Sequence, residues 1–224
     1  MKNIYFLLNS ITEFTFLDTI KKYLPNVIID IGECLPKHLN DYDLIILWNY
    51  RKIVPITSKN NNIIVFHASD LPEGRGWATI YNAIIRLKKY YIISGLLVNN
   101  KIDEGNIVVK AKFEIKDNHT AKYLRMWDTE ISIMLIKEIL TKFNKKTIQG
   151  IKQKGQATYY ERRTPKDNEI SLDSTIEQKI NHLRACEEQH PAYIIYNNIK
   201  YTVNIEPVEK PEFPDDLKIT FYDK

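Results

Sequence analysis

A histidine, two carboxylates and a glycine-flanked arginine are the side chains here whose types and spacing could do chemistry. Residues 63–77 read IIVFHASDLPEGRGW: an apolar run ends on His67, and a loop with Asp70, Pro72, Gly74, Arg75 and Gly76 follows at once. An imidazole gives up or takes a proton near neutral pH, which fits it for general acid–base work. The carboxyl end of a buried strand, ahead of a Gly/Pro loop, is where open α/β sheets keep their sites. The same place suits a histidine that only satisfies a core or caps a helix, and position alone leaves both open. Gly74 and Gly76 would let the backbone approach a ligand closely. Arg75 between them could pair with an anion or stand in solvent as an ordinary loop arginine. Asp70 precedes Leu-Pro, and Asp103 lies in NNKIDEGNIV just ahead of a glycine. Each is equally at home as a turn former.

The elements that must position these residues are legible as apolar runs. NIYFLLN (3–9), VIIDIG (27–32), DLIILWN (43–49) and NIIVF (62–66) read as strands. Their Ile/Val/Leu content is continuous and does not alternate, as in strands buried on both faces of a parallel sheet. Between the first two, residues 11–24 carry Phe14, Leu17, Ile20 and Leu24 at helical spacing. No G-x-G-x-x-G follows the first strand, where LLNSIT stands instead, so a dinucleotide site of that kind is not expected. Residues 77–90 read as a helix with Ile80, Ala83, Ile84 and Leu87 on one face; residues 91–99 and 106–115 read as strands. Residues 120–143 form a long amphipathic helix. Its stripe of Leu124, Trp127, Ile131, Met134, Leu135 and Ile139 is core material. The fold class expected is α/β: a Rossmann-like, mostly parallel sheet with helices on both faces.

From about Thr147 the texture changes. GQATYYERRTPKDNEISLD (155–173) is polar and turn-rich, residues 175–189 read as a helix, and AYIIYNN and KYTVNIE form a hairpin joined at Asn-Asn. PVEKPEFPDD closes the region as a proline-rich tail. The expected organisation is a catalytic core over 1–146 and a small α+β appendage over 147–224 that returns to the core.

Composition narrows the function classes. The chain has 224 residues, 44% of them hydrophobic, and a net charge of +4. No run reaches the roughly 18 apolar residues of a membrane span, and the N-terminus reads as a strand and not as a signal peptide. Cys34 and Cys186 fit no metal or redox spacing and suit a reducing cytoplasm. The basic residues are dispersed, with local density at 142–146 and 151–155. That pattern fits a solvated face better than a nucleic-acid surface, and the mild positive balance suits a small phosphorylated substrate.

FHASDLPEGRGW followed by KIDEGNIV resembles the formyltransferase superfamily that uses N10-formyltetrahydrofolate, which includes methionyl-tRNA formyltransferase and bacterial sugar N-formyltransferases. Its pattern is Asn-x-His-x-Ser-x-Leu-Pro-x-x-x-Gly, then Asp-x-Gly downstream. Matched here are His67, Ser69, Leu71, Pro72, Gly76, Asp103 and Gly105. The resemblance implies that His67 donates to the oxyanion formed when an amine attacks the formyl carbon, and that Asp103 orients His67 and helps move the amine proton. It implies a cofactor pocket drawing on Tyr50, Arg51, Ile53, Val54, Ile102 and Asp103, with pterin contacts largely to backbone. Acceptor contacts would come from Arg75, Gly76 and Trp77. No metal is implied. One departure is plain: the family's asparagine, two residues before the histidine, is Val65 here. Asn82, in the helix after the loop, is the candidate replacement amide. Fewer residues precede His67 than the family usually has, as if one crossover of the N-terminal unit were trimmed.

The stretch around Arg162 and Arg163 resembles the Arg-Arg-Thr-Pro-x-Asp segment of formyltransferases that act on nucleotide-linked amino sugars, such as the 4-amino-arabinose enzyme. The tRNA enzymes carry a lysine-containing sequence there and a longer basic barrel, for which the chain as read is too short. The expectation is therefore a cytoplasmic enzyme formylating the amine of a nucleotide-linked amino sugar, with Arg162 and Arg163 contacting that substrate. The product would feed bacterial surface glycans such as lipopolysaccharide. No membrane partner is expected, and a homodimer is compatible with the reading. The alternatives are methionyl-tRNA formylation and a catalytically weak homologue that binds folate or sugar nucleotide.

Overall fold

A computed structural model describes residues 2–54, 62–143 and 148–222. Strand β1 (Lys2–Leu7) leads through a 3₁₀ turn to α1 (Leu17–Tyr23), β2 (Val27–Gly32), β3 (Leu44–Leu47) and β4 (Ile63–His67). β5 (Arg75–Gly76), α2 (Thr79–Ile85), β6 (Tyr90–Leu97), β7 (Ile107–Glu114) and α3 (Ala121–Lys142) come next. The remainder holds β8 (Tyr159–Tyr160), α4 (Ile176–Ala185), β9 (Ala192–Tyr196), β10 (Ile199–Val203) and β11 (Lys218–Phe221).

The central sheet runs β11-β7-β6-β4-β3-β1-β2. β2, β1, β3 and β4 pair in parallel, as their continuous apolar runs require. β6 then reverses against β4, β7 against β6 and β11 against β7, so five of the seven strands point one way. The sheet is mixed and mostly parallel.

Alternation along the strands sends Ile4, Phe6, Ile46 and Ile64 to one face, where α1, α2 and α3 contribute Ile20, Ile84, Trp127 and Leu135 to a single large core. Tyr5, Leu7, Ile45, Leu47 and Ile63 point to the other face, and the residues packed there come from irregular segments: Leu35, Leu39, Tyr42, Tyr50, Val54 and Val98. Among the described residues, α1, α2 and α3 pack on the first face, and the expected α/β class with a mostly parallel sheet holds. The chain between β2 and β3 makes only a 3₁₀ turn at Leu39–Asp41, too little to lay an α-helix over the sheet. The site is built on that second face.

Other differences have local causes. The helix expected over 11–24 is broken after Glu13, because Phe14 and Phe16 turn in to pack with Phe6 and Trp48. α2 stops at Ile85, and Leu87 takes a left-handed φ of 53° and is exposed instead of joining the apolar stripe. α3 is buried beyond its expected stripe, at Ile133 and Ile136, since the sheet lies on one side and α1 and α2 on another. Within that packing the Tyr91 hydroxyl donates to Asp128 Oδ1 at 3.0 Å.

The proposed boundary at 146/147 lies outside the described residues. The C-terminal region is bound closely to the core. β8 pairs with β5, α4 packs on α2, and β11 extends the main sheet. The hairpin β9–β10 turns at Asn197 and Asn198, both with positive φ, which is the turn that two-residue hairpin loops favour.

Candidate active site

β4 ends on His67 in the middle of the sheet, and the loop after it folds back over that second face, where Leu71 packs. The imidazole is 9% exposed, and each of its two nitrogens faces an oxygen. Nε2 lies 2.8 Å from the Gly74 carbonyl oxygen. A carbonyl only accepts, so Nε2 carries the proton. Nδ1 faces Asp103 Oδ2 at 3.6 Å, and that same oxygen accepts the Gly76 backbone N–H at 2.9 Å. His67, the glycine loop and Asp103, distant in sequence, thus converge at one point.

Each partner is held from behind. Asp103 sits in the β6–β7 connection with a left-handed φ of 52°. Gly105, two residues on, is pressed against β6: a Cβ there would lie 1.6 Å from the Leu97 carbonyl oxygen, so no other residue fits. The Gln153 amide donates to the Asp103 and Gly105 carbonyls at 2.7 and 3.0 Å. The loop is tied to the β8 region, where Gly74 N–H donates to Thr158 Oγ1 at 2.9 Å and Arg75 N–H to the Thr158 carbonyl at 2.9 Å. Gly76, at φ +93°, lies so close to the Tyr160 carbonyl that a Cβ would approach to 2.6 Å.

Arg75 is not the free cation that the glycine-flanked position suggests. It is 8% exposed; Nη1 donates to Glu104 Oε1 at 2.8 Å and the Tyr159 hydroxyl at 2.9 Å, and Nη2 to Gln153 Oε1 at 2.8 Å. Its charge is spent holding the loop to the Asp103 turn. Lys101, and then Arg75, keep the Glu104 carboxyl below the usual range. Asp70 pairs with Lys110. Asn82 is also not brought to His67. Its Nδ2 donates to the Ala78 carbonyl at 3.0 Å and its Oδ1 accepts from Arg86 Nε at 3.0 Å, so both ends of the amide are used within the helix and its flanks. Val65, one pleat before His67 on the same face, packs with Leu71, Leu96 and Ile107.

The residues expected around a cofactor fall on that face or its rim. Val54 is buried and Tyr50 packs beside it, while Ile53 and Ile102 are exposed, 65% and 56%. The Arg51 N–H donates to Asn9 Oδ1 at 2.9 Å. Trp77, 41% exposed, follows Gly76, and the Arg162 guanidinium lies over its ring at 5.1 Å. Arg163 turns the other way, onto Tyr81 at 3.4 Å with Asn168 as hydrogen-bond partner. Glu104, Gln153, Thr158 and Tyr159 were not singled out by the sequence. Only Glu104, next to Asp103, carried a signal; the rest enter through long-range folding.

A histidine beside a carboxylate at the end of a central strand is an arrangement that could move a proton. Residues 37–136, which carry both His67 and Asp103, match the formyl transferase family, so the resemblance to the formyltransferase superfamily stands. The methionyl-tRNA formyltransferase of Pelagibacter ubique is 26% identical over 170 residues, 73% of this chain and 54% of that protein. The chain spans about half the length of several curated relatives it matches. A methionyl-tRNA formyltransferase structure from Clostridium thermocellum superposes with a TM-score of 0.73 at 25% identity, covering 99% of this chain and all of that one. A 4-N formyltransferase from Francisella tularensis shares the fold, with a TM-score of 0.70 at 19% identity over 93% of this chain and 98% of that one. Among the described residues no helix is long and apolar enough to cross a membrane, and no cluster of His, Cys, Asp or Glu could hold a metal ion.

Proposed function

We propose that this protein transfers a formyl group from N10-formyltetrahydrofolate to the amine of a nucleotide-linked amino sugar. The observation that carries the transfer is the His67–Asp103 pair, with the proton on Nε2 fixed by the Gly74 carbonyl. In neutral His67, Nδ1 is then the free base, and it faces the space beside Asp103. His67 Nδ1 takes the proton that the attacking amine must lose, the Asp103 carboxylate stabilises the imidazolium so formed, and that proton would pass to the folate nitrogen as its bond to the formyl carbon breaks. Once protonated, Nδ1 is a charged donor toward developing negative charge. The Gly76 N–H holds Asp103 in place throughout.

Formyltetrahydrofolate supplies the one-carbon unit when bound. Residues that would hold it are Val54 and Tyr50 on one wall, the backbone of 51–53 and 102, and the apolar floor that includes Val65. A flat heterocycle fits such a floor. Val65 removes an amide that the family pattern would place beside His67, so charge stabilisation rests on His67 and backbone groups.

The sugar reading is supported by Arg162, which among the described residues has no carboxylate partner, and by the fold shared with sugar N-formyltransferases. A second reading, formylation of methionyl-tRNA, is favoured by the curated relatives, which carry that name. Turnover with formylfolate separates them: nucleotide-linked amino sugars in one arm, charged initiator tRNA in the other. Formylation of the tRNA, with none of any amino sugar, overturns the acceptor assignment; no transfer in either arm overturns the activity.

A further inference from the structure

We propose that Trp77 and Arg162 form a nucleoside-diphosphate reader at the mouth of the site: the base stacks on the Trp77 indole in the place now taken by the Arg162 guanidinium, which turns to the diphosphate. The inference rests on the nucleotide-linked acceptor proposed above and names which residues read its nucleotide part. Three tryptophans occur in the sequence. Trp48 and Trp127 are 8% and 1% exposed, whereas Trp77 is 41% exposed. A large aromatic surface left in water beside a site is where a flat ligand gains most by stacking.

The backbone places that ring with care. Gly76 N–H is bonded to Asp103 at 2.9 Å and Trp77 N–H to the Tyr160 carbonyl at 3.1 Å, so the indole leaves the chain one residue from the carboxylate. Ala78, next in sequence, holds a left-handed φ of 52°, an uncommon conformation for a residue with a side chain. A base on Trp77 would therefore lie within a short linker's reach of His67, and a diphosphate and sugar are such a linker.

Arg162 is the matching charge. Among the described residues its one recorded interaction is the stack on Trp77. An exposed cation–π contact is weak and readily exchanged for a base or a phosphate. Its neighbour Arg163 cannot serve, since Tyr81, Asn168 and the Cys186 sulfur hold it against α2 and α4. Arg75 cannot either, since it is buried with Nη1 and Nη2 held by Glu104, Tyr159 and Gln153.

The test titrates the full chain with UDP, dTDP, GDP and ADP and with inorganic pyrophosphate, following tryptophan emission and calorimetric affinity. At least one nucleoside diphosphate should bind saturably and quench the exposed-tryptophan signal. Trp77→Leu and Arg162→Gln should each weaken it about tenfold, as loss of one base stack or one charge-assisted contact would. Trp77→Phe should keep most of the affinity and lose the quench. Pyrophosphate should be weakened by Arg162→Gln and not by Trp77→Leu. Failure of every nucleoside diphosphate to bind, or unchanged affinity in both Trp77→Leu and Arg162→Gln, overturns the proposal. If the tRNA is the acceptor yet nucleotide binding still depends on Trp77, the sugar reading falls and this one stands. If an amino sugar nucleotide is formylated with unchanged Michaelis constants in both variants, the reverse holds.

Discussion

His67 and Asp103 carry the proposed proton transfer, so each should be costly to remove. His67→Ala and Asp103→Ala are expected to lower turnover by at least about a hundredfold, the scale of one acid–base contribution, with calorimetric folate binding retained. Turnover within a few fold of wild type in either variant would remove that residue from the chemistry. Asn82→Ala should leave turnover within a few fold and lower the melting temperature, because its amide bonds stay within α2 and its flanks. Gly105→Ala should behave oppositely to Asn82→Ala. It forces the Asp103 turn off the Leu97 carbonyl, so activity should fall more than thermal stability, read by kinetics and melting on the same sample. The histidine was legible because a strand end and a glycine loop flag a site. Arg75 was misread because two of the groups that bind its terminal nitrogens, Gln153 and Tyr159, lie far along the chain and leave no local mark. The same holds for the replacement amide: helix position suggested that Asn82 could reach over the cleft, but Ala78 and Arg86 claim it first.

At the scale of elements, the region of α3 sets the pH response. His119, just before the helix, is buried with its ring 4.8 Å from Trp127. Burial, with Lys116 and Arg184 adding, pushes its pKa down to about 4 from an ordinary 6.5. The folded state thus resists protonation there, and this contribution to stability, complete above about pH 6.5, is lost as pH falls toward 4. Asp128 on the helix has the opposite displacement: burial raises it from 3.8 to about 6, although Tyr91, Arg125 and His67 pull it down. The folded state holds that proton more tightly than the unfolded chain, so its contribution declines as pH rises from 3.8 through about 6. Asp128→Asn should therefore raise the melting temperature more at pH 8 than at pH 5. An equal gain at both, measured by calorimetry, would show that the carboxyl titrates normally. The helix itself was legible from its period, and its pH behaviour was not, because burial of one carboxylate depends on what the sheet and α1 place around it.

Across the whole molecule, continuous apolar runs identified β1 to β4 and their parallel pairing, since strands covered on both faces leave no polar alternation. Among the described residues, the α-helices of the core pack on one side of the sheet. A long crossover is needed for a helix, and the β2–β3 connection has room only for a 3₁₀ turn. β11 escaped notice because four residues, Lys-Ile-Thr-Phe, after a proline-rich stretch carry too little pattern to stand out. Yet it caps the β7 edge with four register pairs. Thr220→Pro removes the ladder donor opposite Lys110, and a loss of about 2–3 kcal/mol should lower the melting temperature by roughly 4–12 °C. An unchanged transition would mean that β11 adds nothing to the sheet.

The one-sided distribution of helices has a consequence for how such a protein can diversify. Side chains that pack under the helices and side chains of the face proposed to bind ligand alternate along the same strands. Neighbouring positions along β1, β3 and β4 therefore answer to different selection, one to stability and the next to specificity. Drift at Val65, or exchange of the segment bearing Arg162, can explore new acceptors while Ile64 and Phe66 keep the helices in place. Inheritance of the scaffold and turnover of its substrates are thereby decoupled, residue by alternate residue.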